Sequence, residues 1–171
     1  MILFHFTAVE HLPAILTEGL SKGDIPVEPG EPGYRGVWFT TDREPSLHGL
    51  SGGEMLTLPE AERRLIERNT GRPAPFKVRT LDKRAVRIQV ATPLKHKKLF
   101  AWLQWSAKRT NLDLREALIL AGGGKQKART WYVYNGVIPP NEFREICIRD
   151  KTGKFTPATD EELRNARSGS G

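Results

Sequence analysis

The chain has only one cysteine among its 171 residues, Cys147, which excludes an internal disulfide and any all-cysteine metal site. It lies in the apolar stretch Ile146-Cys147-Ile148, where a small buried core residue is the plain expectation. Long apolar runs are also lacking. Hydrophobic residues make up 38% of the chain, and no run approaches the ~20 residues needed to span a bilayer. Met1-Ile2-Leu3-Phe4-His5 has no basic segment ahead of its apolar one, so it does not read as a secretion signal. A cytoplasmic protein with no membrane partner is expected. The four histidines, His5, His11, His48 and His96, have no metal-ligand spacing, and no metal is expected. Acidic residues are in deficit: 20 Asp plus Glu stand against 27 Lys plus Arg, a net charge of +7. That balance favours anionic partners such as nucleic acid, nucleotide phosphates or acidic protein surfaces.

The length suits one domain with a real core and is short for two. Residues 1–150 read as that domain; residues 151–171 read as a polar, disordered tail ending in Ser-Gly-Ser-Gly. Leu3 to Thr7 is a strand with apolar flanks. Thr7 and Glu10 have capping-box spacing, yet a helix capped at Thr7 would need the amide that Pro13 lacks. An irregular turn is therefore expected first, then a regular helix from about Leu12 with Pro13 in its first turn, ending at Gly19. Ser21 to Arg35, with Pro26, Pro29 and Pro32, must be a loop. Gly36 to Thr41 is a second strand, Leu58 to Asn69 a helix, and Phe76 to Thr80 and Ala85 to Val90 are further strands. Strict alternation in Val86-Arg87-Ile88-Gln89-Val90 predicts one buried face and one wet face. Lys95 to Trp105 and Leu112 to Leu120 read as helices, Tyr132 to Tyr134 as a strand, and Glu142 to Arg149 includes the last strand.

Side chains alternate across a strand, so His5 and Thr7 share a face. A helix starting a few residues later brings its positive end near them. An imidazole and a hydroxyl can donate and accept as two ribose hydroxyls require. The competing reading is a core histidine bonded to Thr7 or to the main chain.

The block from Leu3 to Leu20, His-x-Thr followed by a helix and a Gly-Leu stop, resembles the ADP-ribosyltransferase superfamily when taken with Gly36-Val37-Trp38-Phe39-Thr40-Thr41. A third similarity is Trp131-Tyr132-Val133-Tyr134-Asn135-Gly136-Val137-Ile138-Pro139-Pro140, which looks like that fold's late strand and Ile-Pro-Pro turn. The branches it resembles are the DarT-like DNA ADP-ribosyltransferases and the RNA 2′-phosphotransferases. The resemblance implies an α+β domain built on a split mixed β-sheet with flanking helices. It implies NAD in a cleft between the His5 strand and the Trp38 strand, and transfer of ADP-ribose to a nucleic-acid (DNA or RNA) or protein acceptor. A toxin, phage or defence role would suit such a chain.

By that resemblance, His5 and Thr7 hold a ribose, Trp38 stacks on nicotinamide where tyrosine is commoner, and Thr40 orients the ring. Tyr34 and Arg35, just upstream, are candidates for the phosphates or adenine. The family's catalytic glutamate would steady positive charge building at the anomeric carbon. Trp131 stands in its place and joins the candidate cofactor residues. Glu142 and Glu145 lie downstream and Glu116 upstream; Glu145 serves as the catalytic candidate only with a shifted register. Without that carboxylate, two alternatives stay open: an inactive nucleotide-, nucleic-acid- or partner-binding module, and an RNA 2′-phosphotransferase-like enzyme.

Gly122-Gly123-Gly124-Lys125 lacks the spacing and the hydroxyl of a Walker A loop, since Gln126 follows the lysine. Lys108, Arg109, Lys125, Lys127 and Arg129 cluster in sequence around Trp102, Trp105, Trp131 and Tyr132. That mixture suits single-stranded nucleic acid or a nucleotide, and equally a solvated face over a tryptophan-rich core.

Overall fold

The computed structural model describes residues 1–21, 23–93 and 96–168. Chain order begins with β1 (Ile2–Thr7), a 3₁₀ turn (Val9–His11) and α1 (Leu12–Glu18). The short strands β2 (Asp24–Ile25) and β3 (Tyr34–Arg35) come next, then β4 (Val37–Thr40), β5 (Met55–Thr57), α2 (Glu60–Thr70) and β6 (Lys77–Arg79). The remainder is β7 (Val86–Ala91), β8 (Leu99–Ala101), α3 (Trp102–Ser106), α4 (Leu112–Ala121), α5 (Lys125–Ala128), β9 (Trp131–Tyr134), β10 (Phe143–Arg149), β11 (Phe155–Pro157) and α6 (Asp160–Ser168).

The architecture is α+β. Seven strands form one sheet in the order β11-β10-β7-β1-β4-β9-β8, and every neighbouring pair is antiparallel. The expected mixed sheet is thus corrected to an antiparallel one. β1 matches β7 over six residue pairs, from Ile2↔Ala91 to Thr7↔Val86. Its register with β4 is the single pair Phe4↔Thr40. That thin join divides the sheet into a β11-β10-β7-β1 half and a β4-β9-β8 half.

Each face has its own core. On one, Leu3, Val37, Phe39, Val86, Ile88 and Val90 pack with Leu12, Leu16 and Leu20. Burying one such side chain stabilises the fold by roughly 1.5–3 kcal/mol. α1 begins after an irregular turn, as the missing Pro13 amide requires, with Pro13 in its first turn. It ends at Gly19, whose φ is 82° and where a Cβ would lie 2.4 Å from the Ile138 carbonyl oxygen. Only glycine fits there, and it lets Leu20 bridge to Ile138. On the opposite face, Trp102 and Trp105 of α3 pack with Ala128, Trp131, Val133 and Ile25.

Three further expectations change. The tail does not stay disordered through residue 168: Phe155–Pro157 adds an edge strand to β10, while Leu163 and Ala166 of α6 pack on the α1-side core. Residues 169–171 lie outside the described residues. Arg87, placed on the wet face of its strand, is 4% exposed. Its guanidinium sits 4.6 Å from the centre of the Phe155 ring and 5.6 Å from that of Phe4, so β11 covers what the alternation alone left open. Finally, the helix expected over Lys95 to Trp105 is strand β8 followed by the short α3; Lys95 lies outside the described residues.

Candidate functional site

The pocket that holds the sequence-predicted pair lies beneath the flank of α1, with a volume of about 290 Å³. His5 and Thr7 form its floor. Glu10 and His11 on the 3₁₀ turn, Ala14, Ile15 and Glu18 on α1, and Gly19, Leu20, Ser21 and Gly23 after it form its walls, with Val37 of β4 at the far side. Both the N-cap of α1, His11, and one flank of the helix line it.

His5 is held by a specific bond. Its Nδ1 lies 2.8 Å from the main-chain carbonyl oxygen of Trp38, and a carbonyl can only accept, so Nδ1 carries the hydrogen. The imidazole side chain thereby ties β1 to β4 where their register is a single pair. Burial disfavours the charged ring and pushes the His5 pKa down to about 4, against the Trp38 bond, which raises it, and with His11 and Lys83 lowering it further. Near neutral pH the ring is uncharged, and Nε2 is the nitrogen left to accept from a pocket ligand. The edge of the ring meets Phe39, with centroids 5.8 Å apart. Thr7, 4% exposed, places its hydroxyl oxygen 3.1 Å from His11 Nδ1.

The other predicted residues sit elsewhere. Pairing Phe4 with Thr40 sets Trp38 and Thr40 on the sheet face opposite His5 and Thr7. There the Trp38 ring lies 5.6 Å from Trp102 and 5.9 Å from Trp131, inside the tryptophan core. The Thr40 hydroxyl bonds that of Thr130 at 2.8 Å. Tyr34 meets Trp105 edge-on at 5.1 Å, with Arg109 5.7 Å from each ring. Arg35 is exposed on β3. The expected stacking platform therefore belongs to the second core; the strand contributes Val37 to the pocket and a carbonyl to His5.

Trp131 is buried as well, and donates from Nε1 to His48 Nδ1 at 2.8 Å. His48 Nε2 lies 3.2 Å from Asp42 Oδ2, which also receives Lys127 Nζ at 2.5 Å. These contacts tie the 42–48 loop to β9. Burial, then Lys127, lowers the His48 pKa. Glu145 pairs with Gln89 of β7 on the face away from the pocket, 3.7 Å from Arg87 Nη2, and accepts from Cys147 Sγ at 3.2 Å. It is not a pocket carboxylate. Burial and the Glu145 carboxylate raise the Cys147 thiol pKa, which suits an inert core residue.

Of the eight distinct candidates, the fold brings His5 and Thr7 into the pocket and adds Glu10, His11 and Glu18, which the sequence did not single out. The Thr7–Glu10 spacing was a faint signal for one of them. Trp102, Trp105 and Trp131 are all buried, so the basic residues near them in sequence surround a core and not a stacking surface. Among the described residues no three His, Cys, Asp or Glu side chains could hold a metal ion together, and no helix is long and apolar enough to cross a membrane. Comparison of the chain with protein-family models, with curated proteins and with solved structures finds no match.

Proposed function

We propose that this domain binds NAD through its nicotinamide-riboside end in the pocket beneath α1, and acts as an ADP-ribosyltransferase-like protein on a nucleic-acid or protein acceptor. The observation that carries the reading is the His5 ring, fixed by the Trp38 carbonyl at 2.8 Å beside Thr7 in one cavity. Two hydroxyl-binding groups on one face suit the paired hydroxyls of a ribose. The carboxylates Glu10 and Glu18 favour a cationic group such as nicotinamide over phosphate.

In the transfer, the bond between the anomeric carbon and the nicotinamide nitrogen breaks, and its electron pair leaves with nicotinamide, now neutral. The oxocarbenium-like centre forms a bond to an acceptor oxygen or nitrogen, which gives up its proton to solvent. A pocket carboxylate would stabilise the developing positive charge, and Glu10 and Glu18 line the cavity. The second reading, nucleotide binding without turnover, is favoured by the position of Glu145 and by Trp131 standing in the glutamate's place.

Calorimetry with NAD and an assay of nicotinamide release in the presence of DNA, RNA and protein acceptors test both. Binding and release that His5→Ala abolishes support the transferase; binding without release supports the module. Failure of NAD to bind the wild-type protein removes both.

A further inference from the structure

We propose that His11 is a positioning residue, whose protonation sets the hydrogen-bonding sense of Thr7 toward the pocket ligand. The proposal rests on the NAD-pocket reading for its ligand, but its geometry stands by itself. Thr7 is 4% exposed and its hydroxyl oxygen lies 3.1 Å from His11 Nδ1; both residues line the cavity with His5. A hydroxyl has one hydrogen and two lone pairs. When the neutral His11 ring accepts through Nδ1, the Thr7 hydrogen is committed to it, and Thr7 offers the ligand only lone pairs. The floor then presents two acceptors, Thr7 Oγ1 and His5 Nε2, matched to a ligand with two vicinal hydroxyl donors.

Protonated His11 carries a hydrogen on Nδ1 and donates to Thr7, so the Thr7 hydrogen turns to the ligand. The floor becomes one donor and one acceptor, and a positive charge stands beside the pocket. Both changes oppose a cationic nicotinamide riboside. Among the described residues, the charged and titratable groups that line the cavity with His11 are Glu10 beside it on the 3₁₀ turn, His5 on β1 and Glu18 on α1, with Lys83 acting on His5. His5 is neutral near pH 7 because burial lowers its pKa to about 4, against the Trp38 bond, so it does not mask the effect there.

NAD affinity of the wild-type protein is measured from about pH 5 to about pH 8, the range in which histidines change charge. The expectation is binding about tenfold tighter at the upper end, the size of one reoriented buried hydrogen bond. His11→Gln keeps an acceptor oxygen and cannot charge, so it should bind NAD with a flattened pH profile. NADH, which has the same ribose and a neutral ring, should keep part of the wild-type slope. NMR of the His11 ring without ligand gives the independent arm: its Nδ1 resonance should move in Thr7→Val and return in Thr7→Ser. Parallel pH slopes in wild type and His11→Gln, or a His11 Nδ1 resonance unmoved by Thr7→Val, would overturn the proposal. Absence of NAD binding with the Thr7-dependent resonance intact would instead overturn the NAD reading and leave the His11–Thr7 contact standing.

Discussion

His5 and Trp38 are joined by a hydrogen bond from imidazole Nδ1 to a main-chain carbonyl oxygen at 2.8 Å, while their side chains occupy opposite faces of the sheet. One residue thus closes the join between β1 and β4 and presents its second nitrogen to the pocket. The strand that was expected to supply an aromatic platform supplies a carbonyl that selects a tautomer.

The first prediction concerns pH. The His5 pKa falls from 6.5 to about 4 on folding, so the unfolded chain binds the proton more readily than the folded one. Stability from this group is complete above the unfolded value of 6.5 and is lost as pH falls from there toward 4. The loss should approach 3 kcal/mol, on the order of 1.36 kcal/mol per unit; the lowered pKa of His48 acts in the same direction. Urea unfolding of wild type and His5→Asn checks this: the variant should show the shallower pH dependence across that window.

Trp131→Phe tests the bond to His48. The variant keeps an aromatic ring in the core but removes the donor from His48 Nδ1, 2.8 Å away. An unsatisfied buried acceptor costs about 1–3 kcal/mol. The urea midpoint should fall accordingly, and the 42–48 loop should gain hydrogen-exchange rate.

Gly122→Ala should destabilise by steric conflict alone. The φ of Gly122 is −89°, which any residue adopts, but an added Cβ would lie 2.1 Å from Cη2 of Trp131. Trp38, Trp102 and His48 surround that indole, leaving it little room to yield. Overpacking of this kind costs roughly 1–3 kcal/mol, readable as a lower Tm together with altered tryptophan fluorescence.

Deleting residues 151–171 removes β11 and α6. Phe155 then leaves the Arg87 guanidinium, and Leu163 and Ala166 leave the α1-side core. Leu163 is only partly buried, so losing it forfeits a fraction of the roughly 1.5–3 kcal/mol of a fully buried leucine. Thermal unfolding should show a clearly lower Tm than the full chain; an unchanged Tm would mean that this segment contributes nothing to the fold.

Local chemistry made part of this legible. The missing amide of Pro13 placed the start of α1 at Leu12 after an irregular turn, and strand alternation put His5 and Thr7 on one face. The same alternation put Trp38 and Thr40 together, but which face of the shared sheet they occupy depends on the Phe4↔Thr40 register, a pairing 36 residues apart in sequence. No local pattern carries that information. The burial of Arg87 is hidden from local pattern for a related reason: its cover comes from Phe155, on a strand in the polar C-terminal segment.

The amino-acid sequence by itself determined the His-x-Thr pair, the helix that follows it and the apolar stripes, because propensity, proline geometry and side-chain alternation act over a few residues. Only the tertiary structure decided that His5 takes its tautomer from Trp38, that His11 meets Thr7 within the same cavity, and that Trp131 and Glu145 lie away from it. Those outcomes depend on how strands distant in sequence pair and which faces they turn to each helix, and strand pairing is settled by the packing of the whole sheet.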